Sequence, residues 1–352
     1  MRKRRNVVAV ASALFLACAQ ARVCAGAGEL LPRHLTPKIQ IAVREGLDYL
    51  AKTQAPDGSW SNSKDGASYP ISMTALAGMA FLANGNTQTR GPYADQVRAA
   101  QSFLMRFSLP NGLITGPSQE HGRPMYGHGF SLMFLSCCYG SEIDSRVRRQ
   151  LKQIIEAALK LTATAQSPEG GWTYIPGGGD EGSVTITQIQ ALRAAHLVGF
   201  TVPEGTIKAA IRYLELCRTP QGGIRYSLRS GGQSRLPISA AAVATLYNAG
   251  DYDSDMAEQC LEYVFGEFER LKAGWNRGGG HAYYSHLYAS QAFYQAGDKY
   301  WDAYFPTAAE QLLGEQQKDG SWNGDRIGPV YGTSIALEVL QLPYKFMPIY
   351  QR

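Results

Sequence analysis

The sequence predicts an all-α fold, an α/α toroid of six helical hairpins with twelve helices in an inner and an outer ring. Three observations predict it. First, one seven-residue string recurs three times, as Gln54-Ala55-Pro56-Asp57-Gly58-Ser59-Trp60, Gln166-Ser167-Pro168-Glu169-Gly170-Gly171-Trp172 and Gln316-Gln317-Lys318-Asp319-Gly320-Ser321-Trp322, with Gln, an acid, Gly and Trp at fixed offsets. Second, weaker copies at Gly112-Leu113, Gly222-Gly223-Ile224 and Gly274-Trp275 complete a series of apolar anchors at 60, 113, 172, 224, 275 and 322, spaced 47 to 59 residues apart. Third, every anchor stands between an amphipathic run and, past a Gly-rich loop, an almost uncharged apolar run. A hairpin that cannot bury its own apolar face must stack on neighbours. Six of them close into a ring, because an open stack leaves two apolar ends in water.

The elements follow in order. The runs before the anchors form outer helices: Ile39, Val43, Leu47 and Leu50 share one face, as do Val147, Leu151, Ile154 and Ala158, with charges opposite. The runs after the anchors, 72–83, 129–138, 184–197, 238–249, 287–296 and 333–342, carry almost no charge and form the inner ring. In each repeat the Gly supplies the left-handed turn that ends an outer helix, the neighbouring acid bonds backbone amides, and the Trp plugs the space between hairpins. Pro306 fits the first turn of the last outer helix, where a missing amide hydrogen costs little. The cluster Asp251, Asp253 and Asp255 caps the outer helix beginning near Met256.

Residues 1–27 read as a secretory leader and 28–352 as one toroid domain. Arg2, Lys3, Arg4 and Arg5 precede an apolar run from Val7 to Ala19, and small residues follow it. That run is too short to span a bilayer, and no later one is comparably apolar. The expectation is an exported protein, periplasmic or secreted, without a transmembrane segment. Phe15-Leu16-Ala17-Cys18 resembles a bacterial lipoprotein cleavage site, which implies a lipid anchor at Cys18. The net charge of +5 comes from the leader, since removing its five basic residues leaves 29 basic against 29 acidic. A neutral chain lacks the clustered cations that nucleic acid requires, so no such partner is expected. Cys18 and Cys24 leave with the leader. Cys217 and Cys260 fall on buried helical stripes, as packed thiols or as a disulfide between neighbouring helices, and Cys137 and Cys138 are adjacent in an apolar helix.

The Gln-x-x-Asp-Gly-Ser-Trp strings resemble the QW repeats of the squalene-hopene cyclase and protein prenyltransferase β-subunit superfamily, over roughly residues 37 to 345. The resemblance implies that superfamily's toroid, in which the repeats are structural joints. Its chemistry does not carry over residue by residue. There is no Asp-x-Asp-Asp string of the kind that protonates an alkene in the cyclases. His286 resembles the zinc-binding His of the prenyltransferases, but Ile238 and Ala240 stand where the Asp-x-Cys ligands would be. No metal and no cofactor are expected, and the Gly-Cys-Gly-Glu-Gln thioester of complement-like toroids is absent.

If the inner helices start at one rim, their amides and dipoles converge there. The polar residues at those starts are the candidates for a site: Glu120, His121, Tyr126 and His128; Asp180 and Glu181; His281, Tyr283, Tyr284 and His286; and Tyr331. Glu120, His128, Asp180, Glu181 and His286 are the candidate acids and bases, and Tyr126, Tyr283, Tyr284 and Tyr331 the candidate ligand-binding groups. Each also has a structural reading, as helix caps for Asp180 and Glu181, a hydrogen-bonded core His for His128, and repeat packing for the tyrosines. Three functions fit: a non-catalytic binder of an apolar or amphiphilic molecule or of a protein partner, an α/α-barrel enzyme acting on a polysaccharide, and a divergent terpenoid cyclase or prenyltransferase-like enzyme. An aromatic cavity without an acid favours the first, and a polar groove the second.

Overall fold

The computed structural model describes residues 31–61, 69–116, 118–271 and 281–350. Residues 1–27, read above as a leader, with Cys18 and Cys24, and the fifth anchor Trp275, lie outside them. Six hairpins pair an outer with an inner helix: α1 (Pro37–Thr53) with α2 (Pro70–Ala83), α3 (Ala94–Arg106) with α4 (Met125–Ser141), α5 (Ser145–Thr164) with α6 (Gly182–Leu197), α7 (Glu204–Cys217) with α8 (Leu236–Asn248), α9 (Asp255–Leu271) with α10 (Ala282–Ala296), and α11 (Asp298–Glu315) with α12 (Pro329–Gln341). Among the described residues there are isolated β-bridges and no strand. Each inner helix packs on the next, from α2 through α12, and α12 packs back on α2. The all-α toroid read from the sequence is the fold observed.

Burial separates the two rings. Thirteen of the fourteen residues of α2 are buried, whereas only five of the twenty in α5 are. A helix apolar on every side needs neighbours on every side, and a helix with one stripe needs one. The α5 stripe is Leu151, Ile155, Ala158, Leu159 and Thr162, rotated slightly from the predicted face, so that Val147 and Ile154 are half-buried at its edge.

The repeats are joints between hairpins. Gln54 Nε2 donates to the Gly58 carbonyl of its own turn and to Gln96 of the next outer helix. Gln166 does the same to Gly170 and Thr206, and Gln316 to Gly320 and Ala42, so the last joint reaches the first helix and closes the ring. The indoles of Trp60, Trp172 and Trp322 each donate to a carbonyl ten residues back, on Leu50, Thr162 and Leu312. The glycine is required twice over. At Gly170 φ is +99°, and an added Cβ would lie 2.0 Å from the Ala209 carbonyl oxygen of the next outer helix.

An inner-helix side chain holds the anchor's amide in four joints: Thr74 for Trp60, Thr185 for Trp172, Ser239 for Ile224 and Thr333 for Trp322. This rule corrects the second anchor. Ile114, not Leu113, donates its amide, here to His128 Nδ1, and Leu113 has the turn position of Ser59. Ile114 also stands two residues after Gly112, the offset that Trp60, Trp172, Ile224 and Trp322 keep from their glycines.

Two further readings change. Pro306 lies inside α11, which begins at Asp298. Trp301, Tyr304, Phe305, Ala308 and Leu312 form a buried stripe through the proline, and that burial offsets the missing backbone bond. Cys217 and Cys260 are free thiols, both buried, with Cys260 Sγ donating to the Ser239 carbonyl, so they are packed groups and no disulfide. The cap of α9 is Ser254, whose hydroxyl accepts from the Ala257 amide, rather than a carboxylate; Asp251 supports it by accepting from the Ser254 amide and hydroxyl, and Asp255 lies in the helix's first turn.

The chain ends across the far side of the ring. Short 3-10 turns, Leu342–Tyr344 and Pro348–Tyr350, carry buried Met347, Ile349 and Tyr350 against α6 and the C-terminal ends of the inner helices. Gln295 donates to the Ile349 carbonyl, and the Tyr350 hydroxyl donates to Glu338 at 2.6 Å.

Candidate functional site

At the opposite end the described residues leave a cavity of about 1220 Å³, lined by residues from the first turns of all six inner helices, including Ser72, Tyr126, Ser183, Ile238, Tyr284 and Tyr331. The inner helices therefore share one rim, as the candidate residues required. The walls below it are apolar, with Met73, Leu76, Phe130, Leu287 and Ile335 among them.

Two buried carboxylates, Glu120 and Glu181, and the half-buried Asp325 stand at this rim, and each holds the start of an inner helix. Glu120 accepts from the amides of Ile71 and Ser72 and from the Ser72 hydroxyl, at 2.8, 2.8 and 2.5 Å. Glu181 accepts from the amides of Ser183 and Val184 and from the Ser183 hydroxyl, at 3.0, 2.9 and 2.6 Å. Asp325 accepts from the amides of Tyr283 and Tyr284. They thus cap α2, α6 and α10, every second helix of the ring, and satisfy donors that have no partner within the helix. Burial raises all three carboxyls above their ordinary values, and the hydrogen bonds they accept oppose that rise. Asp180 accepts from the Leu228 amide at 2.9 Å, which ties down the following loop.

His128 belongs to a joint, and His286 has the equivalent position on its helix. His128 Nδ1 accepts from the Ile114 amide, so its proton sits on Nε2, which donates to the Thr162 hydroxyl at 3.0 Å; that hydroxyl donates to the Ala158 carbonyl. His286 is the fifth residue of α10, as Thr74 and Thr333 are the fifth of α2 and α12, and its Nδ1 lies 2.8 Å from the Tyr304 hydroxyl. Burial lowers His128 to about 4 and His286 to about 3, so both are neutral near pH 7. Neither lines the cavity. Both stand where other repeats carry Thr or Ser.

The tyrosines divide. Tyr126, Tyr284 and Tyr331 line the cavity, joined by Tyr69, Tyr174 and Tyr226. Tyr126 and Tyr284 converge on Ser183, through its hydroxyl and its carbonyl, and Tyr331 reaches Asp325 at 3.3 Å. Tyr174 and Tyr226 bond each other at 2.6 Å. Tyr283 faces away, donating to Glu315 on α11 at 2.8 Å. Burial, then the Glu181 charge, holds the Tyr126 phenol well above its usual range, so it stays a hydroxyl. His281 reaches the lining, whereas His121 does not.

Asp325, Tyr174, Tyr226, Arg123 and Arg235 were missed in the sequence. For two of them a signal exists, since Tyr174 and Tyr226 stand two residues after the anchors Trp172 and Ile224. Their carbonyls accept the amides of Met125 and Gly182, which start the preceding inner helices. Asp325 sits at φ +48° in the loop before α12, and nothing local marks it, because the amides it accepts from are about 42 residues back.

Among the described lining residues Glu267 is the one carboxylate, and it is doubly bonded to Arg270 at 3.2 and 2.6 Å. No group of three or more His, Cys, Asp or Glu side chains among the described residues is placed to hold a metal ion. The arrangement offers apolar walls, aromatic faces and phenolic donors to an occupant.

No protein-family model and no curated protein matches the sequence. Solved structures do resemble the fold. The type II terpene cyclase MstE from Scytonema superposes with a TM-score of 0.59 at 16% identity, over 89% of this chain and 98% of that one. An α-1,6-mannanase of Salegentibacter, solved with α-1,6-mannotriose, superposes with a TM-score of 0.63 at 10% identity, over 88% and 99%. A protein from Actinoplanes gives 0.53 at 17% identity, over 88% and 99%. At these identities the likeness shows the α/α toroid and not the activity.

Proposed function

We propose that this chain is an exported, non-catalytic toroid that binds an apolar or amphiphilic molecule in its central cavity. One observation carries the reading: the inner walls of the cavity are apolar and aromatic, from Met73, Leu76, Phe130, Leu287 and Ile335, with the charged and polar lining at its rim, while Glu120, Glu181 and Asp325 are committed to helix amides. Burial of apolar ligand surface against such walls is worth about 25 cal/mol per Å². A glycosidase instead needs two carboxylates flanking a sugar, and an alkene-protonating cyclase needs an acid facing its substrate. Glu267, held by Arg270, supplies neither pair nor free acid.

The QW-like joints support kinship with the squalene-hopene cyclase and prenyltransferase β-subunit superfamily. The terpene cyclase MstE has been solved with geranylgeranyl dihydroxybenzoate, a prenylated molecule with a polar end, which is the class of occupant proposed here. Among the described residues no helix is long and apolar enough to cross a membrane. The leader supports export, and the Cys18 site supports a lipid anchor as a refinement of it.

The test is native mass spectrometry of the mature protein from its exported fraction, with lipid and glycan analysis of what travels with it. A co-purifying apolar molecule, lost when Leu76 and Leu287 are both replaced by charged residues, supports the reading. A bound oligosaccharide, or turnover of a polysaccharide, overturns it.

A further inference from the structure

The far end of the ring is closed by the last stretch of the chain. Past α12 the backbone turns at Lys345, a non-glycine at φ +58°, and lays Met347, Ile349 and Tyr350 against the ring, all three buried. A left-handed turn at such a residue is strained, and it persists while the contacts around it hold. Gln295 of α10 donates to the Ile349 carbonyl at 3.3 Å, and the Tyr350 hydroxyl donates to Glu338 Oε2 of α12 at 2.6 Å.

The Tyr350 bond ends on an isolated carboxyl. Glu338 is 2% exposed, its Oε1 has no hydrogen-bond partner, and it makes no ion pair among the described residues. The titratable groups facing it are Tyr350 of the last turn, Cys137 of α4 and Tyr288 of α10. No cation stands opposite. The helices α2, α4 and α12 carry no Lys or Arg. Arg193 of α6 makes no ion pair with Glu338 among the described residues, and Lys345 is turned to the Tyr294 ring, 5.5 Å from its centre. The charged residues of α1 face solvent or, for Asp48, Tyr93. The buried amide oxygens of Gln295 and Gln341 are unpartnered as well, so this end of the ring holds acceptors that water satisfies once the segment lifts.

We infer that the segment from Lys345 to Tyr350 is a releasable plug, latched over the far end of the ring by the Tyr350–Glu338 bond, and that loss of the Glu338 proton loosens the latch. A neutral carboxyl tolerates the dry site, whereas a carboxylate there has one hydrogen bond and no counter-charge. Burial lifts the Glu338 carboxyl from its ordinary 4.5 to about 8, with Tyr350 opposing. With the plug lifted, water reaches the group and it ionises as an exposed acid does. The advantage of the docked state is therefore complete below pH 4.5 and is lost as pH rises towards 8, and the lifted fraction grows by up to about tenfold per pH unit across that window. Tyr288 connects this end to the cavity, since its ring lies edge-on to Tyr284, 4.8 Å between centres, and Tyr284 lines the cavity.

The experiment oxidises the full mature chain with dilute hydrogen peroxide between about pH 5 and pH 9 and follows each methionine by peptide mass spectrometry. A thioether does not titrate, so its rate reports exposure. Met347 is 1% exposed in the plug, and Met79 and Met125, fully buried in α2 and α4, report on the ring itself. The Met347 rate is expected to rise by up to about tenfold per pH unit and to level above about pH 8, while Met79 and Met125 stay slow. In Glu338→Gln, which keeps an acceptor for Tyr350 but cannot ionise, Met347 should be slow and independent of pH. In Tyr350→Phe it should be faster at every pH, with the slope retained. A flat Met347 profile in the wild type, a slope that survives Glu338→Gln, or a Tyr350→Phe variant no faster than the wild type overturns the latch. Met79 and Met125 rising in step with Met347 would mean that the whole ring opens, which overturns the plug. Should Glu338→Gln not fold, the wild-type profile and Tyr350→Phe decide the matter alone.

Discussion

Replacing Trp322 by alanine tests the joint that closes the ring. Its side chain is fully buried, and its indole donates to the Leu312 carbonyl of α11 at 2.7 Å. A Cβ added to Gly46 on α1 would come within 2.8 Å of the indole edge, so this side chain packs across the seam between the last hairpin and the first. Truncating a buried Trp costs about 3–5 kcal/mol, and leaving the carbonyl unpaired adds about 1–3 kcal/mol. Against a usual total stability of about 5–15 kcal/mol, the variant should lose a large share of its fold. Trp322→Phe keeps most of the packing and should cost about half as much. Guanidinium unfolding followed by far-ultraviolet circular dichroism reads both, from the shift in midpoint at constant slope. Trp60→Ala removes the same part of the first joint, where the indole donates to Leu50 at 2.9 Å. A closed ring makes the two alanine variants equal within about 1 kcal/mol. If Trp60→Ala is costly and Trp322→Ala costs less than about 1 kcal/mol, the last hairpin does not bear on α1 and the closure argument is wrong.

Two further outcomes follow from single residues. Gly320 and Gly250 have nearly the same φ, +88° and +87°, but a Cβ at Gly320 would lie 2.5 Å from the Glu45 carbonyl oxygen while Gly250 has nothing within 4 Å. Gly250→Ala should therefore cost only the left-handed strain, about 1–2 kcal/mol, and Gly320→Ala distinctly more; equal midpoints in denaturant would remove the close approach from the account. Burial lifts the Glu338 carboxyl from its ordinary 4.5 to about 8, with the Tyr350 hydroxyl opposing. The folded chain holds a proton there that the unfolded chain releases, so this group's contribution is complete below pH 4.5 and is lost as pH rises towards 8. Stability measured against pH should show Glu338→Gln gaining on the wild type across that window, and parallel curves would mean that Glu338 does not titrate as a buried acid.

The sequence by itself determined the fold. Its signals are local and periodic: the Gln, Gly and Trp offsets describe bonds within one turn and to the next helix, and uncharged runs describe helices with no wet side. Those constraints repeat, so ring closure followed from counting. Glu181 was readable as a cap because the amides it accepts from are two and three residues away. Glu120 was not, because it caps a helix 49 residues back, and Asp325 likewise reaches back 42. His128 stood out as chemistry in the sequence, and only the packed joint shows that an imidazole there does the work of a threonine hydroxyl. The second anchor slipped by one because Leu113 and Ile114 are both apolar; the Ile114 amide bond to His128 restores the offset of two residues from the repeat glycine that the other joints keep. The candidate site was legible as a rim and not as a list of residues. Which tyrosines face the cavity and which carboxylates are already spent on amides depend on contacts between different hairpins, and a one-dimensional pattern does not carry that distance.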